Sequence, residues 1–283
     1  MPLSNAIAPL VLLSEEQQTE NDFYKVDRRA EGLECLVGQV FGASGSALVT
    51  ERGAKALCTV NGPQTSQRSH GTLDAATLEV EVRYAPLVAP PTYSTACGAA
   101  LKPLSLDGGA AAPTSASGQP NASVERVLCE SLRGALEGVL RLQQYPKMVI
   151  SVRVTLLESS GNVGQDLAAA ITGSSLALGD AEVEQADLVT ASTASLLLAS
   201  SSSNSKAGAN SVCRGGPSQG QAASSCVTVS SRCNAPEMTQ LWAEGRLPAA
   251  QVFLLVEEAV RANAAKAETV QAALRSKLAA QLA

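Results

Sequence analysis

The sequence predicts an α/β fold of the α+β kind, in which helices pack against a mixed β-sheet. Short stretches of alternating apolar and polar residues, which are typical of strands, recur along the chain. Between them lie longer stretches with apolar residues at helical spacing. Strands and helices that alternate in this way predict layers of helix and sheet around a common core. The 283 residues include 45% hydrophobic but only 3% aromatic residues, so we expect a core built from aliphatic side chains.

Charge and cysteine content limit the classes of function. A net charge of −5 argues against a protein whose whole surface binds nucleic acid, but it allows a local basic patch. The seven cysteines include no C-x-x-C pair, so we expect no metal site, and no other cofactor is indicated. The scattered cysteines are typical of a reducing compartment. His70 lies in a polar stretch and is expected to be exposed rather than catalytic.

The beginning of the chain predicts a tail rather than a membrane segment. Residues 1–30 are mainly polar, and residues 31–283 are expected to form the folded domain. The apolar run 6–13 is far shorter than the roughly 20 residues that span a bilayer. It also lacks a basic residue before it, which disfavours a signal peptide. We therefore expect no membrane partner.

The first half of the domain predicts four strands and then a helix. The strands are expected at 35–41, 46–50, 55–60 and 77–84. A Pro-, Gly- and Ala-rich stretch, 102–122, predicts a flexible insertion. A helix is then expected to begin near Ser123, a favourable N-cap, and to end before Tyr145. Its apolar stripe is Leu128, Leu132, Ala135, Leu136, Val139 and Leu140.

The second half alternates strands and helices again. Strands are expected at 148–157, 187–198 and 226–230, and helices at 165–180, 238–246 and 248–282. The Ser- and Gly-rich stretch 199–225 predicts a second flexible insertion. In the last helix the apolar residues thin out after Val260, so we expect its Ala-, Lys- and Glu-rich end to project from the domain.

One absence stands out in this acidic chain. No Asp or Glu occurs between Asp187 and Glu237. Any chemistry that needs carboxylates, such as holding a divalent metal ion, would find none along this stretch.

Four segments, taken in order, resemble the RNase PH family. They are the predicted hairpin 45–63, the strand 78–84 with the Ala85-Pro86 that follows it, the helix and turn 127–146, and the stretch 156–181. Their order and spacing carry the resemblance. Within that family, Gln144-Tyr145-Pro146, 184–188 and 241–244 are most similar to the ring subunit of the eukaryotic RNA exosome of the mRNA transport regulator type.

The resemblance implies a fold like domain 2 of ribosomal protein S5, but it also shows where an active site is missing. Active relatives hold phosphate with two neighbouring arginines, and the matching positions here are Ser123 and Val124. Their acidic pair would fall within the stretch that has no carboxylate. Their Asp-Gly-Gly turn is replaced by Ser159-Ser160-Gly161. We therefore predict no catalytic residue and no enzymatic activity. The remaining Asp166, Asp180 and Asp187 are expected to be structural.

The resemblance further implies a structural role in a hexameric ring. Expected partners are other RNase PH-like subunits, cap subunits with S1 and KH domains, and RNA that passes through the central channel. Arg83 and Arg126 are the candidates to lie near that RNA, whereas Arg133, Arg141, Lys147 and Arg153 are expected to be surface charges. The expected location is the nucleus, with the nucleolus, and the cytoplasm.

Two further hypotheses stay open at this stage. The alternative function is a phosphate-dependent 3′→5′ exoribonuclease that is active only as a composite site with a partner subunit. A free-standing small-molecule binder has little support, because the chain has no Gly-rich phosphate loop. Separately, the family ends the helix at 165–180 with Gly, where this chain has Glu182. We expect either an unusual helix end there or a strained Glu182.

Overall fold

The computed structural model describes residues 32–65, 74–88, 121–197, 211–214, 223–235, 237–245, 247 and 249–282. The predicted tail, His70 and most of both predicted insertions lie outside these residues. Within them, two β-sheets and three α-helices form the layered arrangement that the sequence predicts. No helix in this part of the chain is long and apolar enough to cross a membrane.

Sheet 1 comes mainly from the first part of the chain. Its strands are β1 (Leu33–Val37), β2 (Gly45–Glu51), β3 (Ala54–Thr65), β4 (Thr77–Tyr84) and β5 (Met148–Glu158). They lie in the order β1-β2-β3-β5-β4, and only the β4–β5 pair is parallel. The sheet is therefore mixed, as predicted. On β5, Ile150 and Leu156 are fully buried, whereas Met148 is only partly buried.

Two helices cover the inner face of sheet 1. Helix α1 (Asn121–Glu137) begins two residues before the predicted start, and its whole predicted apolar stripe is buried. The chain then forms a short 3₁₀ helix (Leu142–Gln144) before β5. Helix α2 (Val163–Asp180) is buried along nearly all its length because it lies between the two sheets.

Sheet 2 and the last helix complete the layers. The strands are β6 (Val189–Leu197), β7 (Ser211–Arg214), β8 (Ala223–Arg232) and β9 (Met238–Gly245). They form an antiparallel sheet in the order β7-β6-β8-β9. Helix α3 (Ala249–Leu282) packs on the face of this sheet that points away from α2 and continues as far as β1.

The structure corrects several predicted elements. A helix is predicted at 238–246, but Met238–Gly245 form strand β9, because the free edge of β8 supplies backbone partners along that segment. The predicted insertion 199–225 contains strand β7 and the start of β8, paired with β6. Strand β1 lies at Leu33–Val37 instead of 35–41, since the chain turns after Val37.

The predicted projection of the last helix is also wrong. Lys266 in the second half of α3 is buried, and its ammonium donates to Glu51 of β2 at 2.5 Å and to the Ala191 carbonyl of β6 at 2.8 Å. Farther along, Val270 is fully buried and Lys277 pairs with Asp180. Lys266 therefore attaches α3 to both sheets, and Lys277 attaches it to the end of α2.

The end of α2 confirms the strained alternative for Glu182. The N–H of Val183 donates to the Leu178 carbonyl at 3.2 Å, and the N–H of Glu182 donates to the Gly179 carbonyl at 3.3 Å. This pair of bonds is a Schellman cap, which needs a left-handed residue. Glu182 occupies that position with φ 57°, where glycine would be unstrained.

Candidate functional site

The start of α2 is the part of the fold that could bind an anion, because unpaired backbone N–H groups collect at a helix N-terminus. Strand β5 ends at Glu158, and the loop 159–162 leads directly into the helix. Asn162 adopts an extended conformation, and its side-chain oxygen accepts from the Gly164 N–H at 2.8 Å. The chain's own N-cap therefore uses one of the available donors.

The carboxylate of Asp166, in the first turn of α2, is buried at the same end of the helix. Asp166 accepts hydrogen bonds from the Tyr84 hydroxyl at 3.1 Å, the Ser159 hydroxyl at 2.6 Å and the Ser160 N–H at 3.0 Å. The Ser160 hydroxyl oxygen lies 3.1 Å from the same carboxylate. We name these four residues the Asp166 clasp. The positive end of the helix dipole stabilises the negative charge of the Asp166 carboxylate. That charge would repel any other anion that approached the start of α2.

The surroundings of the Asp166 clasp explain its electrostatics. Burial raises the pKa of the Asp166 carboxyl above its ordinary value, and the hydrogen bonds from Ser159, Ser160 and Tyr84 oppose that rise. All three partners belong to this chain and hold the carboxylate in the protein interior. The predicted structural role of Asp166 is consistent with this geometry.

Sheet 2 lies directly against the start of α2. A Cβ atom added to Gly164 would lie 2.4 Å from the Thr228 hydroxyl and 3.1 Å from the Trp242 ring. The Cys226 sulfur lies 3.7 Å from the Asn162 side-chain oxygen and 3.9 Å from a Glu244 carboxylate oxygen. The helix backbone thus approaches the sheet closely, which requires glycine at position 164.

The stretch without acidic residues forms the middle of sheet 2. The acidic pair of active relatives is expected in the stretch before 226–230, of which 198–210 and 215–222 lie outside the described residues. Strands β6 and β8, on either side of that stretch, carry small hydroxyl side chains. The buried ones are Thr190, Ser192, Thr193, Ser195, Ser225, Thr228, Ser230 and Ser231. The Thr193 and Thr228 hydroxyls lie 2.8 Å apart and share a hydrogen bond. Among the described residues, no group of three or more His, Cys, Asp or Glu could hold a metal ion.

The other two candidate carboxylates hold local structure. Asp180 accepts from the Ser46 N–H at 2.9 Å and pairs with Lys277. Asp187 accepts from the backbone N–H of Asn234 at 2.7 Å and from its side-chain amide at 2.8 Å. Asp180 thus joins the end of α2 to β2 and α3, and Asp187 fastens the start of β6 to the loop after β8. Both contacts agree with the predicted structural roles.

The two arginines predicted to lie near RNA flank one contact. Glu125 of α1 accepts from the Tyr84 N–H of β4 at 3.1 Å, so Arg83 and Arg126 are sequence neighbours of a contact between these two elements. Each is exposed and pairs locally, Arg83 with Glu81 at 2.6 Å and Arg126 with Glu130 at 3.1 Å. Their proximity to RNA stays a prediction.

The structure also shows where the predicted surface charges lie, and where one of the two positions that match the phosphate-binding arginines of active relatives lies. Arg133, Arg141 and Arg153 lie at the surface, paired with Glu137, Glu184 and Glu81. Lys147 is also exposed, so all four predicted surface charges lie at the surface. Val124, one of the two positions that match the arginine pair, is a buried core residue of α1.

The match to a family profile decides the identity of the fold. The profile described as "3′ exoribonuclease family, domain 1" matches residues 31–184, which is more than half of the chain. The chain belongs to the RNase PH family. The rice Rrp46 crystal structure shares the fold, with a TM-score of 0.59 and 16% sequence identity over 87% of this chain and 96% of that one. The predicted fold class is therefore confirmed.

Curated relatives refine the comparison. The chain is 35% identical to the human exosome complex component MTR3 over 167 residues, which are 57% of this chain and 54% of the human protein. It is 29% identical to an Arabidopsis thaliana exosome complex component described as RRP41-like, over 160 residues, 56% of this chain and 51% of that protein. The chain thus spans about half the length of the curated relatives that it matches. The similarity to the mRNA transport regulator type, which the sequence suggests, is confirmed at this level.

Sequence reasoning missed the Asp166 clasp, although a signal was present. The helix was expected to start at residue 165, but it begins at Val163 because Asn162 is its N-cap. Asn is among the strongest N-cap residues, and an acidic residue in the first turn supports the same start. No sequence pattern indicated that Tyr84, 82 positions away from Asp166, would complete the clasp.

Proposed function

We propose that this chain is a catalytically inactive subunit of an RNA exosome ring. In this role it supports 3′→5′ RNA processing and degradation, including rRNA maturation and mRNA decay, by building the channel through which RNA passes. Its partners are other RNase PH-like subunits and cap subunits with S1 and KH domains. It acts in the nucleus, including the nucleolus, and in the cytoplasm.

One observation carries the inactive assignment: between Asp187 and Glu237, where the resemblance places the acidic pair of active relatives, the chain has no acidic residue. Strands β6 and β8 carry hydroxyls in the stretch without acidic residues, and the start of α2 is occupied by Asn162 and the Asp166 clasp. Groups that stabilise developing charge each commonly contribute about 10²–10³ in rate, so losing several leaves little catalysis. Membership of the ring is supported by the similarity of the chain to proteins described as exosome complex components.

The enzymatic alternative is tested by phosphorolysis of a labelled oligoribonucleotide. The purified chain, alone and assembled with its ring partners, is incubated with and without inorganic phosphate. We expect no nucleoside diphosphate from the chain alone. In the assembly, any phosphate-dependent release should be unchanged by Asp187→Asn in this chain. Release by the chain alone would refute the inactive assignment outright. Loss of release in an Asp187→Asn variant that still enters the ring would favour the composite enzyme instead.

Ring membership is tested by recovering the tagged full chain from cells. Mass spectrometry should find RNase PH-like and S1-domain proteins in stoichiometric amounts. Imaging of the same tagged chain should find it in the nucleus, the nucleolus and the cytoplasm. Recovery of the chain without any RNase PH-like protein would refute the proposed assembly.

Arg83 and Arg126 are proposed to lie beside the RNA path because both are exposed and both are next to the contact between β4 and α1. In the assembled ring, Arg83→Glu with Arg126→Glu should weaken RNA binding and lower the salt dependence by about one unit of slope per lost phosphate contact. Arg141→Glu, which changes an exposed and paired arginine elsewhere, is the matched control. Equal effects of the two changes would remove the special role of Arg83 and Arg126.

A further inference from the structure

The outer face of sheet 1, which points away from α2, carries a row of leucines across neighbouring strands. Leu36 of β1 lies directly opposite Leu48 of β2, and Leu48 lies opposite Leu57 of β3. Leu157 of β5 alternates with the buried Leu156 and therefore points to the same outer face. It lies two positions beyond Thr155, the partner of Leu57, where the register between β3 and β5 shifts, and it extends the row onto β5. We call these four residues the leucine stripe.

The leucine stripe is open in the described part of the chain. Leu36 is 52% exposed and Leu157 is 37% exposed, whereas Leu48 and Leu57 are partly covered by their neighbours. Single exposed leucines are ordinary, but four adjacent ones on a flat sheet form a contiguous apolar patch, which usually marks a docking surface. Surrounding positions on this face, such as Thr50, Thr59 and Arg153, are polar, so the patch has a defined border.

Composition points to a segment of the same chain as the occupant. Residues 6–13 contain Ile7 and the four consecutive aliphatic residues 10–13, with no charged residue among them. None of the internal stretches outside the described residues, 66–73, 89–120, 198–210 and 215–222, has a comparable run. The segment 6–13 is therefore the one piece of chain outside the structure with enough aliphatic surface to cover the leucine stripe.

The linker between the segment 6–13 and the leucine stripe is long enough to allow the contact. The segment 1–31 leads into β1, which begins at Leu33, three residues before the first leucine of the stripe. Residues 14–31 form an 18-residue linker with six acidic and three basic side chains. A flexible linker of that length spans roughly 23 Å on average. The distance from β1 to β3 is only about 10 Å, so the linker reaches the stripe easily.

We propose that residues 6–13 pack on the leucine stripe and cover the outer face of sheet 1. Tethering gives the segment an effective concentration on the order of millimolar at the stripe. A second copy of the chain or another subunit has to compete with that concentration from solution. The segment thus occupies the stripe in the isolated chain, before any partner binds.

The test is photo-crosslinking of the purified full chain at low concentration. The photoreactive residue p-benzoylphenylalanine replaces Leu36, an exposed position that tolerates a large side chain. Mass spectrometry should find crosslinks from this position to residues 6–13 within one chain. The same residue in place of Phe253, an exposed apolar position on α3, is the matched control and should give no such crosslink.

A second variant keeps the inference falsifiable. The second variant carries Leu10→Ser and Leu12→Ser, at positions outside the described residues. It should reduce the crosslink yield at Leu36 by about tenfold or more, because burial of a single leucine already contributes about that factor to binding. An unchanged yield would overturn the proposal. So would crosslinks that join two copies of the chain, or crosslinks at Leu36 that form only after ring subunits are added.

Discussion

The two sheets of this domain bury opposite kinds of side chain. The inner face of sheet 1 is aliphatic, with Val49, Val60, Ile150, Val152 and Leu156 all fully buried. The central strands of sheet 2 bury eight hydroxyl side chains in addition to their aliphatic ones. Both sheets contact α2, so they share a core while using different chemistry.

The difference shows how a sheet whose described strands β6 and β8 carry no acidic side chain can still pack against a core helix. An unpaired carboxylate costs several kcal/mol or more to bury, whereas a hydroxyl is small, neutral and easily hydrogen-bonded. In sheet 2 several of the hydroxyls bond one another or a nearby carbonyl, as in the Ser230–Thr239 pair at 2.8 Å and the Thr190 bond to the Asn263 carbonyl at 3.4 Å. The buried Ser192 hydroxyl has no such partner among the described residues. Sheet 2 is consequently packed as part of the core.

The largest effect is expected where the two sheets are joined. Lys266 and Glu51 are only 3% and 2% exposed, and Lys266 also bonds the Ala191 carbonyl of sheet 2. Lys266→Met would leave the Glu51 charge buried without its partner, so the free energy of unfolding should fall by about 3–5 kcal/mol. Urea unfolding followed by circular dichroism measures the change.

The control replaces both members of the pair. Lys266→Met combined with Glu51→Leu removes the uncompensated charge and should recover most of the lost stability. If the free energy of unfolding of the Lys266→Met variant lay within about 1 kcal/mol of the parent value, the Lys266–Glu51 pair would not be what joins the sheets.

The contrast between the sheets can be measured directly by one substitution in each. Leu156→Ala in sheet 1 should cost about 2–5 kcal/mol, because it leaves a cavity in a fully buried site. Thr193→Val in sheet 2 should cost about 1–3 kcal/mol, because Thr228 loses its hydroxyl partner. The Thr193→Val/Thr228→Val double variant should be nearly as stable as the parent. If Thr193→Val lowered the free energy of unfolding as much as Leu156→Ala does, the proposed difference between the two sheets would be wrong.

The buried thiol of Cys58 and the partly buried thiols of Cys35 and Cys233 predict a loss of stability at alkaline pH. Burial raises the pKa of Cys58 to about 12 and of Cys35 and Cys233 to about 11, from an ordinary value of 9.0. The folded thiols stay protonated while the unfolded ones ionise. Their contribution is therefore complete below pH 9 and is lost as the pH rises towards 11–12.

Urea midpoints measured from about pH 8 to about pH 10.5 check this linkage. The parent midpoint should fall over that range, and Cys35→Ala with Cys233→Ala should make the fall shallower. A parent midpoint that stayed constant, or a double variant with the same slope, would count against the buried thiols as the cause.

The smallest effect is expected at the connection from α2 to sheet 2. Glu182→Gly should raise the free energy of unfolding by about 1 kcal/mol, because glycine adopts the left-handed cap without strain. Glu184→Gly, two residues later, is the control and should destabilise, since it removes the Arg141 pair. A destabilised Glu182→Gly variant would show that the side chain contributes more than its backbone strain costs.

Local patterns gave most of the elements but failed where a partner strand decided the outcome. The alternation on β4 and β5 and the stripe of α1 were visible in the sequence because their periods match strand and helix geometry. Residues 238–246 were predicted as a helix, and only the edge of β8 makes them a strand. The candidate site was predictable as an absence of carboxylates, but the Asp166 clasp depends on Tyr84 from a distant strand.

The sequence by itself determined the layered fold class, the family resemblance and the lack of acidic residues between Asp187 and Glu237. These are properties of composition, order and spacing, which a chain carries whether or not it is folded. Only the tertiary structure decided that Lys266 is buried against Glu51 and that Asp166 closes the start of α2. Such contacts join residues far apart in the chain, and their burial depends on which elements pack together.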